Sequence, residues 1–215
     1  MFPGLRGSKS CYVNLDSEAV RLSAEHPELF AGGGNPLLDP AVSQRMMDEI
    51  HHREGVVWSY GGYLEDRRHL LRGCYLEATG NFLHLGVDCT VPQGTQVAAG
   101  FAATVILVDD DQDRDGGWGP RVFLAFGGLV LIYAHLQNVA VSPGQELASG
   151  AVLAEVGGPP HNGNWHPHLH VQAIRAGLFQ EVLVERFQEL DGYGPPAARA
   201  ALQKDFPDPR PYLGL

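Results

Sequence analysis

The stretch WHPHLHVQ, residues 165–172, places His166, His168 and His170 at alternate positions. On an extended strand side chains alternate between faces, so these imidazoles and Gln172 share one face, and Leu169, Val171 and Ala173 share the other. Same-face neighbours lie about 7 Å apart along a strand, so one imidazole can ligate an ion while the next reaches what the ion binds. A second stretch, HLGVD, residues 84–88, puts His84, Gly86 and Asp88 on one face if it is a strand, with Leu85, Val87 and the buried thiol of Cys89 turned to the apolar side. Gly86 removes bulk where an ion and a third ligand would approach. The competing reading is the polar outer face of an edge strand. His135, in LIYAHL, adds an imidazole on a third predicted strand, where a structural role is the alternative. A two-histidine, one-carboxylate set is the composition of hydrolytic zinc sites: it leaves a fourth position for water and lowers that water's pKa to roughly 7.

The elements that must position these residues are mostly strands. From about residue 81 to 173 the chain carries β-branched runs (ATVILV, RVFLAF, LVLIYAHL) punctuated by Gly, Pro and acidic turns. The expected fold class is mainly β, a small antiparallel sheet or barrel-sandwich core with flanking helices at both ends. Residues 1–80 read as an N-terminal extension of loops and one helix that walls a groove, 81–175 as the β core, and 176–215 as a helical and loop tail packed on that core. The N-terminal helix is predicted from the Asp39 cap, Pro40 in the first turn and Val42, Met46 and Ile50 at helical spacing before Gly55. His51 and His52 fall in its last turn, where imidazoles are favourable without any metal. In the tail, Phe179, Leu183 and Phe187 recur every four residues, and PPAARAALQKDF predicts another short helix. SYGGYLEDRRHLLRG, just before the core, either lines the groove or packs on the sheet. Two core segments, VPQGTQVAAGFAATVILV and VSPGQELASGAVLAEVGG, echo one another, as hairpins of lipoyl and biotin carriers do. The only lysines, Lys9 and Lys204, lie outside the core, which removes the carrier reading. DQDRDG resembles the start of a calcium loop, but Val122 stands where the loop's glutamate is needed, so a solvated hairpin tip is expected.

Composition excludes further classes. A chain of 215 residues can bury one sizeable core. The formal net charge of -10 repels phosphate backbones, so no nucleic-acid partner is expected. No run approaches the ~20 apolar residues of a membrane span. The opening MFPGLRGSKSCYVNLDSEAV lacks the apolar stretch of a signal peptide, which gives a cytoplasmic expectation. Cys11, Cys74 and Cys89 form no CxxC pair and are expected reduced.

HLGVD, YAHL and HPHLH, in this order with a glycine-rich hairpin segment between them, resemble the lysostaphin and LytM zinc metallopeptidases, many of which cut peptide cross-links of bacterial cell walls. The resemblance covers approximately residues 83–172. It implies a bound zinc with His84, Asp88 and His170 as its ligands, and His135 and His168 as the non-ligand catalytic histidines. One of these would activate the water or protonate the leaving amine while the other steadies the oxyanion. His166, an additional imidazole, reads as a groove-wall residue. The function implied is a zinc-dependent metalloendopeptidase acting on a peptide or peptidoglycan-like substrate. Two alternatives stand beside it: a zinc-binding module that recognises a peptide or protein without catalysis, and a cytoplasmic zinc hydrolase of a non-peptide amide or ester.

Overall fold

The β-branched runs do form the body of the protein. The computed structural model describes residues 1–185 and 187–215, and its strands are β1 (Ser10–Tyr12), β2 (Trp58–Gly61), β3 (Leu83–His84), β4 (Val87–Thr90), β5 (Gln96–Ala98), β6 (Ala103–Asp110), β7 (Pro120–Phe126), β8 (Leu129–Ala134), β9 (Leu136–Gln137), β10 (Glu146–Leu147), β11 (Val152–Val156), β12 (Leu169–Arg175) and β13 (Tyr193–Gly194). The helices are α1 (Leu15–Glu25), α2 (Pro27–Phe30), α3 (Pro40–Glu54), α4 (Ala176–Glu185), α5 (Arg199–Asp205) and α6 (Arg210–Leu213). The large sheet runs β1-β2-β4-β12-β8-β7-β6-β10, beside a small sheet β5-β11-β9 and the pair β13-β3. Among the described residues the strand pairings are antiparallel except β1 with β2, which is parallel. The mainly β fold with flanking helices is therefore as the sequence predicts. None of the helices among the described residues is long and apolar enough to cross a membrane.

Alternation decides what each face of the large sheet does. Val87, Cys89, Val122, Leu124, Leu131, Tyr133, Leu169 and Val171 point to one side, where they bury against Val97, Leu153 and Val156 of the small sheet. The opposite side carries Phe123, Val130, Ile132, Ala134 and Ile174, covered by Phe179 and Val182 of α4. Asp88 and His170 are buried at the other end of this second face, under residues of the N-terminal segment rather than under α4. The echoed segments pair crosswise: β5 of the first pairs with β11 of the second, and β6 of the first with β10 of the second.

Several local expectations are met and several change. α3 begins on Asp39, whose carboxylate accepts from the Ala41 and Val42 amides, and ends on Gly55 at φ +64°, the left-handed position glycine adopts most easily. The N-terminal residues also hold α1, capped by Asn14, with Leu15, Ala19 and Leu22 buried at helical spacing, and two strands that extend the large sheet. In α4 the buried pair is Phe179 and Val182, whereas Leu183 is 38% exposed, because the next turn of core lies on the three-residue neighbour. DQDRDG does tip the β6–β7 hairpin, and its carboxylates accept amides of their own loop: Asp113 donates to Asp111, and Asp115 to Asp113. Trp58, Tyr60 and Tyr63 pack against the principal core rather than into a groove.

Candidate metal centre

Register brings two of the predicted ligands together. His170 on β12 stands directly opposite Asp88 on β4, and the next strand places Ala134 opposite His170, with His135 following it. His84 arrives differently from the sequence expectation. Were HLGVD one straight strand, residues four apart would be separated by about 13 Å. Instead β3 ends at His84 and β4 begins at Val87, and the chain bends at Leu85 and Gly86 so that His84 Nε2 comes within 3.4 Å of Asp88 Oδ2. Leu85 accordingly packs with Leu64 and Leu83, in a different cluster from Val87. An ideal Cβ on Gly86 would lie 2.5 Å from His170 Cε1 and 2.7 Å from the Val171 carbonyl oxygen, so only glycine lets β12 approach. WHPHLHVQ is likewise not one strand: β12 starts at Leu169, since Pro167 has no N–H to give a ladder. His168 nevertheless reaches the same site.

The donor set fits a divalent cation. His84, Asp88 and His170 each offer a ligand atom within 4.8 Å of the others, and all are buried. His84 Nδ1 lies 3.1 Å from the Gly62 carbonyl, and His170 Nε2 lies 3.3 Å from Gln172 Oε1. Each acceptor oxygen fixes the proton on the outer nitrogen, so the inner nitrogens present lone pairs. These two, His84 Nε2 and His170 Nδ1, face each other at 3.0 Å, with Asp88 Oδ1 2.9 Å from the latter. Opposed lone pairs beside a carboxylate repel until a cation lies among them. Two imidazoles and one carboxylate suit zinc with an open position.

Burial shapes the electrostatics. It pushes the imidazole of His84 down to about 3, and the Arg67 cation acts in the same direction. It also raises the Asp88 carboxyl, but His84, Arg67 and His168 together outweigh this and hold it well below the usual range. His135 and His168 are lowered chiefly by burial, so both are neutral imidazoles at physiological pH.

His168 Nδ1 lies 2.8 Å from the His166 carbonyl, so the proton sits there and Nε2 is a free acceptor, 3.7 Å from Asp88 Oδ1. The His135 ring is 4.5 Å from that of His168, its Nδ1 is buried without a partner, and its backbone is held left-handed at φ +62°. Such a conformation in a non-glycine residue is costly and concentrates at functional sites. His166 belongs to the wall: its Nδ1 bonds the hydroxyl of Ser43 on α3 at 2.7 Å.

The sequence reading did not find Tyr193 or Ser43, and it saw Arg67 only as part of SYGGYLEDRRHLLRG, without a place at the metal centre. Arg67 donates to Asp88 Oδ2 at 2.5 Å, and the Tyr193 hydroxyl lies 3.3 Å from the same guanidinium nitrogen. No pattern in SYGGYLEDRRHLLRG distinguishes Arg67 from Arg68, which pairs with Asp66 at the surface. The centre opens on a cavity of about 60 Å³, roofed by Leu15, Leu37, Leu70 and Leu71 of the N-terminal segment. An outer chamber of about 220 Å³, with Asn164 and Gly163 on its rim, shares Tyr75, Gly116 and Trp165 with it.

Comparison with known proteins agrees with this geometry. Residues 82–181 match Peptidase family M23. The DD-carboxypeptidase/endopeptidase Mpg of Neisseria meningitidis is 33% identical over 92 residues, which cover 42% of this chain and 20% of that protein. The chain thus spans about a fifth of the length of the curated relatives it matches. Among solved structures, a zinc containing peptidase from Vibrio cholerae is 25% identical, with a TM-score of 0.39 over 44% of this chain and 28% of that one. The antimicrobial peptidase lysostaphin from Staphylococcus simulans is 21% identical, with a TM-score of 0.43 over 61% of this chain and 44% of that one. It is through its β core, residues 82–181, that this chain is similar to Peptidase family M23.

Proposed function

We propose that the protein is a zinc-dependent peptidase that hydrolyses amide bonds in peptides of the peptidoglycan type. The observation that carries this reading is the free Nε2 of His168, a neutral imidazole acceptor held 3.7 Å from the carboxylate of the metal centre. When bound by His84, Asp88 and His170, zinc supplies a Lewis acid that polarises a carbonyl and acidifies water. His168 accepts a proton from the attacking water at Nε2 and returns it to the departing amine nitrogen. The His166 carbonyl keeps the imidazole in the tautomer this needs. His135, whose ring lies 4.5 Å from that of His168, steadies the negative charge that develops on the carbonyl oxygen. The leucine roof excludes bulk water from this step. The inner cavity has room for water and the reacting bond, and the outer chamber past Tyr75 and Trp165 receives the flanking residue. The peptidoglycan assignment is supported by the Neisseria relative, whose name describes a DD-carboxypeptidase/endopeptidase.

The test is hydrolysis of purified cell-wall muropeptides and synthetic peptides by the zinc-loaded protein, following new amine termini. Turnover that disappears with a chelator and returns with zinc is expected. Folded, zinc-loaded protein that cleaves neither class would overturn the reading in favour of a non-catalytic recognition module.

A further inference from the structure

A buried cation from outside the family-matching residues touches the metal ligands. Arg67 follows β2 in the N-terminal segment, and its side chain is only 3% exposed. Its Nη1 donates to Asp88 Oδ2 at 2.5 Å, and its Nε donates to Glu65 Oε1 at 3.1 Å. Glu65 is anchored in turn by the Asp16 amide at 3.3 Å. Behind the guanidinium stands Gly62 at φ +102°, where an added Cβ would lie 2.2 Å from Nη2. The fork is thus clamped on both sides and aimed at one oxygen of Asp88. Oδ2 also lies 3.4 Å from His84 Nε2, while the other oxygen, Oδ1, which Arg67 leaves unoccupied, faces His170 Nδ1 and His168 Nε2 at 2.9 Å and 3.7 Å.

We propose that Arg67 is a positioning residue that, by occupying Oδ2, restricts Asp88 to single-oxygen coordination and so keeps the metal four-coordinate with one open position. The inference rests on the metal centre assigned above and is independent of the substrate. An unrestrained carboxylate can turn both oxygens to a cation, which fills the position a hydrolytic site must keep open. A charge-assisted bond to Oδ2 opposes that rotation. Outer partners of this kind commonly govern the affinity and geometry of a metal site. A residue that only balanced buried charge would do so equally well without aiming at a particular oxygen.

The double variant Arg67→Met with Glu65→Gln tests the difference, because it removes one formal positive and one formal negative charge together. Two readouts need no turnover: the visible absorption of the cobalt-substituted protein and the zinc Kd by chelator competition. The intense four-coordinate cobalt band of the natural protein should weaken several-fold in the variant, and zinc binding should loosen about 10–100-fold. A folded variant with an unchanged cobalt spectrum and an unchanged zinc Kd overturns the proposal. If the variant does not fold, a crystal structure of the zinc-loaded natural protein decides: one Asp88 oxygen on zinc with the other on Arg67 upholds it, and two oxygens on zinc overturn it. Natural protein that takes up no zinc overturns the metal centre itself. Zinc uptake without peptide hydrolysis counts only against the proposed function.

Discussion

Substituting Gly86→Ala is the most direct test of how the centre is built. The new Cβ would meet His170 Cε1 at 2.5 Å, His170 Nε2 at 2.6 Å and the Val171 carbonyl oxygen at 2.7 Å. Ordinary carbon contacts lie at about 3.5–4.0 Å, so the shortfall is about 1 Å. The Val171 backbone cannot yield, because β12 is locked to β4 by the pairs Leu169 with Cys89, His170 with Asp88 and Val171 with Val87. The His170 imidazole must therefore move. Metal sites tolerate about 0.2 Å of error in a ligand distance, so a displacement of about 1 Å removes one of the three protein ligands. Zinc affinity should fall at least about 100-fold, equivalent to about 2.7 kcal/mol. The overpacking itself costs about 1–3 kcal/mol. For a chain of this size that lowers the Tm of the metal-free protein by about 2–12 °C without preventing folding. Elemental analysis, chelator competition and a thermal melt measure these quantities on one preparation. Gly177→Ala, whose Cβ meets nothing within 4 Å, is the control and should leave zinc binding unchanged. One tightly held zinc per chain in Gly86→Ala, with the natural Kd, would refute the idea that close approach at Gly86 builds the centre.

Asp88→Ala should lose most of the metal, and retention of full zinc in that variant would remove Asp88 from the ligand set. His135→Ala and His168→Ala should keep zinc while turnover falls about 100-fold or more, the usual scale for losing an acid, base or oxyanion donor. Loss of metal from either one would reverse its assignment. Burial first, and then the neighbouring His168, push His166 down to about 3 in the folded chain. Its ordinary value is about 6.5, so the unfolded chain binds the extra proton between those limits; stability is complete above the upper one and declines by up to about 1.4 kcal/mol per pH unit as pH falls. Urea unfolding of metal-free His166→Gln should show a shallower acid decline than the natural protein, and equal slopes would count against a buried neutral His166.

The ligands and catalytic candidates were legible because each is a motif, but their convergence was not. Alternation alone assigned His84 and Asp88 to one face, whereas the observed contact needs the bend at Gly86. The glycine was visible in the sequence; the bend was not, because space for a ligand and freedom to turn ask for the same residue. α1 carries a legible signal, Asn14 followed by Leu15, Ala19 and Leu22, yet lies in a region whose composition reads as loop. The contacts of Arg67 and Glu65 were illegible for a different reason. Local sequence cannot distinguish an arginine in solvent from one whose partner lies 21 residues away on a strand. Tertiary packing also decided Trp58, Tyr60 and Tyr63, since aromatics before a strand suit a core as well as a groove.

The order of strands in the large sheet has a consequence for how the protein is made. Asp88 sits on β4 between β2, synthesised shortly before it, and β12, whose His170 follows it by 82 residues. At about 5–20 residues per second, a ribosome delivers β2 and β4 about 4–16 seconds before the strand that completes the pair. During that interval Arg67 can already hold Asp88, but the far edge of β4 stays bare, with Val87 and Cys89 on its apolar side. Since β12 also joins β4 to β8, the nascent chain keeps two open edges until Arg175, the end of β12, has emerged. An edge of that kind is a template for other chains. Overproduction at high temperature should therefore send this protein into aggregates during synthesis, even where the finished fold is stable, and slower translation should recover it.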